Sequence, residues 1–405
     1  MTKHIYCDVV IAGCGVAGLY TALNLPEDLH ILMICKEDRK TCDSMLAQGG
    51  ICVLRDEEDY DSYFEDTMKA GHYENRKESV DLMIRTSPAV IRHLLELGVG
   101  FDKNQDGSLK YTKEGAHSRP RICFHEDITG QAITTVLQER TAALPNVDIM
   151  EYTVMTDILT ANGSCAGIQA RTRDGGALSI HARDTVMATG GIGGLYRHST
   201  NFPCLTGDAL TIARAHGVKL EHLDYVQIHP TSLYTEKPGR SFLISESARG
   251  EGAVLLNSKG ERFVNELLPR DLVSQAIEAE MDKEGSRHVW LSFAPVPRIT
   301  ILEHFPHIYE TCLAEGYDIT KEPIPVVPAQ HYFMGGIWVD LDSRTTMEHL
   351  YAVGETSCNG VHGKNRLASN SLLESLVFAG KAAERIENSQ KGRTDYESNY
   401  HAACC

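Results

Sequence analysis

Residues 9–18 read Val9-Val10-Ile11-Ala12-Gly13-Cys14-Gly15-Val16-Ala17-Gly18. A short apolar, β-branched run that stops at glycine is a strand buried on both faces. From Val16 to about Asn24 the residues suit a helix, and Ile31 to Ile34 repeat the buried-strand pattern. The three elements form a βαβ unit opened by Gly-x-Gly-x-x-Gly. Its glycines allow a tight turn, close approach of backbone to a pyrophosphate, and close helix–strand packing. The helix N-terminus then offers unpaired N–H groups to the phosphates. The acidic residue that usually meets an NAD ribose about twenty positions later is missing. Lys36 ends the second strand and Glu37 follows it. That weakens NAD as the ligand and is compatible with FAD.

Working outward, 405 residues suggest two domains, one of them interrupted. A net charge of −16 and the absence of a basic block argue against a nucleic-acid partner. An anionic substrate would have to be held by local arginines against the overall field. The 12 cysteines form no Cys-x-x-Cys pair. Cys7, Cys14, Cys35 and Cys52 lie in apolar surroundings and read as buried free thiols in a reducing cytosol. Cys404 and Cys405 read as part of a disordered tail. No signal-peptide layout, membrane span or metal site is expected.

Further pieces of a nucleotide domain are spread along the chain. Val186 to Gly191 is a short strand entering a glycine turn, and Thr206-Gly207-Asp208 opens a helix reaching Ala215. Leu350 to Gly354 is another apolar strand, finished by Glu355. Their separation implies an insertion, with the proline-rich stretch 322–328 as the return from it. Ala47-Gln48-Gly49-Gly50 can turn backbone N–H groups toward a flat ring. Ser369 to Ile386 reads as a helix with Ser369 or Asn370 as its N-cap. Polar residues gather beside glycine and proline at Gln227–Thr231, Ser245–Gly252, Leu268–Asp271, His331–Gly336 and Arg366. Each alone is equally a surface ion pair or a core histidine. Together they supply arginines and histidines able to clamp two carboxylates.

These motifs, in this order, resemble the flavoprotein family of succinate dehydrogenase, fumarate reductase and L-aspartate oxidase, from about residue 6 to 386. The resemblance implies an α/β fold: a Rossmann-type FAD-binding domain (1–220 and 335–390) interrupted by an α+β capping domain (221–334), with a tail at 391–405. It also implies that a C-terminal helical domain of the family is missing. FAD contacts carried over by motif are Gly13, Cys14, Gly15, Val16, Ala17, Gly18, Lys36, Asp43, Ser44, Ala47, Gln48, Gly49, Gly50, Val154, Asp208, Glu355, Ser371 and Leu372. His229, Ser245, His331 and Arg366 are implied to hold the carboxylates, and Arg270 to donate a proton when fumarate is reduced. His229 counts with Arg270 and Glu114 among the catalytic residues.

Two places bear on the substrate. Thr112 to Ser118, with Arg121 and Asp127–Gly130, is similar to the oxidase signature in which a glutamate, here Glu114, meets an α-ammonium group. Asp43 stands where succinate dehydrogenases carry a flavin-tethering histidine, so non-covalent FAD is expected. The resemblance therefore implies cytoplasmic oxidation of L-aspartate to iminoaspartate, with oxygen or fumarate as acceptor. This is the first step of de novo NAD synthesis, with quinolinate synthase as functional partner. A soluble fumarate reductase, or a silent FAD-binding protein, remains an alternative.

Overall fold

The computed structural model describes residues 2–237 and 239–391; the tail 392–405, with Cys404 and Cys405, lies outside the described residues. A seven-stranded mixed sheet organises the nucleotide-binding part. Its parallel centre pairs Lys3–Ala12 with Ile31–Ile34 on one side and with Ala177–Met187 on the other. Val147–Met150 extends it beyond Ile31–Ile34, and Leu350–Ala352 pairs with the end of Ala177–Met187. Thr153–Ala161 and Ser164–Thr172 form an antiparallel meander on the far side.

Val9, Val10 and Ile11 are fully buried, as a strand with helices on one face and further structure on the other requires. Against one face pack Val16–Leu23, Lys77–Leu97, Thr129–Ala142 and the long Asn370–Lys391. The helix Asp208–Ala215 joins the core on the other face. The glycine motif fixes where the first helix lies. A Cβ on Gly18 would fall 2.1 Å from the Gly13 carbonyl oxygen, and one on Gly13, at φ 124°, 2.0 Å from that of Ala188.

Two elements differ from the sequence reading. The strand ending at Met187 has 11 residues, starting at Ala177. Its upstream part alternates exposed or half-buried with buried positions, so an apolar-run criterion registers only its fully buried end. The proline-rich stretch, expected only as the return from the insertion, enters a regular strand from Ile324 onward. Ile324–Phe333 is an inner strand of a four-stranded antiparallel sheet, paired with Val226–Leu233 and Val289–Ser292. Pro328 falls where the register with Val226–Leu233 shifts between His229 and Ser232, an irregularity that spares the missing N–H. Val254–Leu256 completes this sheet, and the helix Arg270–Glu284 packs on it over a separate apolar core containing Ile277, Leu291 and Phe293. Cys14, Cys35 and Cys52 are buried and free, whereas Cys7 is only half-buried in the partly exposed N-terminal section of its strand. Among the described residues no helix is long and apolar enough to cross a membrane.

Candidate active site

One cavity runs along the C-terminal ends of the parallel strands and under the four-stranded sheet. Every residue expected to touch cofactor or substrate lines it except Gly18. Gly18 serves instead as the point where helix and strand make closest contact.

The backbone builds the first half of the cavity. Gly15 begins the helix Val16–Leu23 without a side-chain cap, and Val16 N–H donates to Ser44 Oγ at 3.1 Å. Lys36 Nζ reaches Asp208 Oδ2 at 2.7 Å and Thr206 Oγ1 at 3.0 Å, so the residue in the ribose position is engaged by the opposite wall. Val154 lines the same stretch. Asp43 Oδ1 accepts from Phe202 N–H at 2.9 Å, and its other oxygen is buried without a partner. Burial pushes its carboxyl up to about 7. Glu355 accepts from Phe333 N–H at 2.9 Å and is pushed up to about 8 by burial and by Asp43.

The loop Ala47–Gly50 is held at both ends. Ala47 C=O accepts from Gly130 N–H at 2.8 Å, and Gly50 N–H donates to Ser369 Oγ at 3.1 Å. A Cβ on Gly130 would meet Ser44 C=O at 2.2 Å, which explains a glycine at the start of that helix. Ser371 and Leu372, in the first turn of Asn370–Lys391, also line the cavity. Ser369 directly precedes this helix, at one of the two expected cap positions. Ser369 bonds Gly50 and Glu114, while Asn370 bonds Tyr63 and Thr67. The glycine cradle, the helix N-termini lining the cavity and the unpartnered Asp43 Oδ2 and Gln48 Oε1 fit an FAD molecule.

Side chains build the second half. Arg366, at 4% exposure, stacks its guanidinium 4.7 Å from the Tyr332 ring centroid and donates Nη1–H to Ser371 Oγ at 3.0 Å. Among the described residues no acidic side chain forms an ion pair with it, and its Nε is unpartnered, so donor capacity remains for a ligand. Burial and Arg270 lower its pKa to about 10, which leaves it charged at neutral pH. His229 and His331 approach edge to face at 5.1 Å. His229 Nδ1 accepts from Thr231 N–H and its Nε2 has no partner; His331 Nδ1 pairs with Thr200 Oγ1 at 2.7 Å. Burial and Arg270 hold both imidazoles well below their usual pKa, hence neutral. Ser245 starts the short helix Glu246–Gly250 as its side-chain cap.

Arg270 Nε–H donates to Glu246 Oε2 at 2.5 Å and Nη1–H to Gln227 Oε1 at 3.0 Å. Glu246 stands 3.7 Å from Arg249 Nη2, and all three side chains are buried. Burial alone would raise the Glu246 carboxyl, but Arg270 and Arg249 outweigh it and hold it low. Glu114 is 3% exposed; Oε1 accepts from Ser247 Oγ at 2.8 Å and Oε2 from Ser369 Oγ at 2.6 Å. Burial and the nearby Glu246 raise its pKa. Gly49 leaves the room Glu114 occupies, since a Cβ there would lie 2.7 Å from Oε1.

The loop carrying Glu114 is anchored from behind. Arg121, fully buried, pairs with Asp59 at 2.8 Å and Asp66 at 2.7 Å and donates to His117 Nδ1 at 3.1 Å. His117 Nε2 is 3.0 Å from Ala368 C=O, which fixes the Nε2–H tautomer. Burial and Arg121 hold this imidazole down at about 4.

The sequence places Gln227 and Glu246 in polar clusters without a role of their own, passes over Ser247, and presents Ser369 as a candidate helix cap. Glu246 carries a further local signal: an acid three residues before an arginine, in a segment starting at a serine cap.

The FAD binding domain family matches residues 8–372. An L-aspartate oxidase of Clostridium perfringens is 51% identical over 94% of this chain and 87% of its own length. That of Clostridium acetobutylicum is 46% identical over 95% and 89%. A quinol fumarate reductase from E. coli superposes with a TM-score of 0.90 at 32% identity, covering 99% of this chain and 73% of that one. An open-conformation flavocytochrome c3 fumarate reductase, TM-score 0.75 at 22% identity over 95% and 78%, shares the fold.

Proposed function

The chain belongs to the FAD binding domain family, with L-aspartate oxidases among its relatives, and from that premise we propose that this pocket oxidises L-aspartate to iminoaspartate. Bound FAD supplies the hydride acceptor. The loop 13–17, Lys36, Asp43, Ser44, the loop 47–50, Val154, Asp208, Glu355, Ser371 and Leu372 hold it, without a covalent tether because Asp43 offers no ring nitrogen.

The chain's own residues bind and orient the substrate. Arg366 and His331 take one carboxylate, and His229 and Ser245 take the other. The charge comes from arginine, because the imidazoles are neutral. Holding both ends fixes the Cα–H direction, an orientation effect on the order of several kcal/mol. Glu114 accepts hydrogen bonds from the ammonium group, and its raised pKa suits it to take the amine proton that must leave before an imine forms. For fumarate in the same clamp, Arg270 delivers a proton to carbon, resupplied through Glu246 and Arg249.

Oxygen, giving hydrogen peroxide, or fumarate, giving succinate, accepts the electrons. The reaction opens de novo NAD synthesis, and the cytoplasm and hand-over of the unstable product to quinolinate synthase complete the reading. Residues 221–334 act as the cap that closes over the substrate. The observation that carries the proposal is the buried Glu114 carboxylate lining the same cavity as Arg270, Arg366 and two neutral histidines. Anaerobic mixing of the holoprotein with L-aspartate and, separately, succinate tests it. L-aspartate should bleach the flavin absorbance; bleaching by succinate alone would end the oxidase reading.

A further inference from the structure

Ser369 adopts φ 61°, the left-handed region that a non-glycine residue seldom occupies. It is 7% exposed, and its carbonyl accepts from Cys52 N–H at 3.1 Å, so the backbone is pinned in that conformation. This turn leads directly into the helix Asn370–Lys391 and brings the hydroxyl between two functional groups. Gly50 N–H donates to Oγ at 3.1 Å, and Oγ–H donates to Glu114 Oε2 at 2.6 Å. An amide N–H can only donate, so the serine proton is directed at the carboxylate. Ser247 Oγ–H donates to the other oxygen at 2.8 Å.

We propose that Ser369 is a specificity-determining positioning residue: it ties the Ala47–Gly50 loop to Glu114 and sets the preference for an amine-bearing dicarboxylate over fumarate. The inference rests on Glu114 reading the amine. Backbone strain persists where the surroundings over-determine it, and here glycine would adopt the same turn without cost while losing only the hydroxyl. With one serine donor gone, Glu114 keeps a single anchor and swings away from the amine position. Fumarate presents no amine, so its binding depends less on where Glu114 points.

The test is the ratio of kcat/KM for L-aspartate to kcat/KM for fumarate in holoprotein variants. Ser369→Gly and Ser369→Ala should each lower that ratio by about ten-fold or more, chiefly through KM for L-aspartate. Ser369→Gly should melt above Ser369→Ala, because both lose the same hydroxyl and only glycine removes the conformational cost. A ratio within about two-fold of the unsubstituted enzyme in Ser369→Gly would overturn the assignment. Ser369→Gly melting below Ser369→Ala would overturn the strain argument. Glu114→Gln separates the two readings. If it collapses the ratio while Ser369→Gly does not, the serine inference alone fails. If it leaves the ratio unchanged, Glu114 does not read the amine.

Discussion

The two halves of the cavity are built by opposite means. The cofactor half relies on backbone: glycines that admit close approach, helix N-termini, and a loop pinned by Gly130 N–H and Ser369 Oγ. Its motif spans residues 13–18 in one continuous stretch. The substrate half relies on side chains carried by Glu114, Gln227–His229, Ser245–Arg249, Arg270, His331 and Arg366, contributed by separate elements. A backbone-built site survives changes of side chain but not of turn geometry. A side-chain-built site depends on long-range packing to bring buried charges into mutual compensation.

That contrast can be broken first at Arg270. Arg270→Leu removes the proton donor and leaves Glu246 buried with Arg249 3.7 Å away. Fumarate reduction should fall by about 10³-fold, within the usual range for loss of a general acid. Dicarboxylate should still perturb the flavin spectrum on titration, and normal turnover would refute the role. The second test is on the backbone side. Gly13→Ala places a methyl group 2.0 Å from a carbonyl oxygen at a φ of 124°. Forcing that turn open costs about 1–3 kcal/mol, so FAD affinity should drop by roughly ten- to a hundred-fold. Unchanged affinity in equilibrium dialysis would show that the turn does not set cofactor binding.

The smallest effect concerns pH. Glu355 has a folded-state pKa of about 8, above its ordinary 4.5. A raised carboxyl pKa means the folded protein binds the proton more tightly than the unfolded chain. Its contribution to stability is therefore present below about 4.5 and lost as pH rises toward 8. Glu355→Gln, lacking this titration, should make the melting temperature of the apoprotein fall less between those limits. Parallel pH profiles for the two proteins would show that Glu355 is not responsible.

The same division explains what the sequence disclosed. Val9–Ala12, Gly13–Gly18 and Ile31–Ile34 were readable because period, turn chemistry and helix start agree within a few residues. The strand 177–187 was seen only at its buried end, since half-buried alternation is weaker than an apolar run. Ile324–Phe333 hid behind Pro325 and Pro328, which local rules assign to turns, whereas tertiary pairing accommodates them at an irregular register. Glu246 stands out only as one member of the Ser245–Gly252 polar cluster, because nothing within that segment announces that Arg270, 24 residues on, will neutralise it. Ser369 looked like a helix cap because only the fold shows that its hydroxyl points elsewhere.

One feature of the cofactor half bears on the enzyme's durability. Cys14, Cys42 and Cys204 line the cavity, where they would meet hydrogen peroxide if oxygen took the electrons. Peroxide attacks thiolates far faster than thiols. A hydrogen bond with Cys35 and burial raise the Cys14 pKa well above normal, and burial takes Cys42 to about 12 and raises Cys204. Each thiol is therefore held in its protonated form at neutral pH, the form that peroxide attacks slowly.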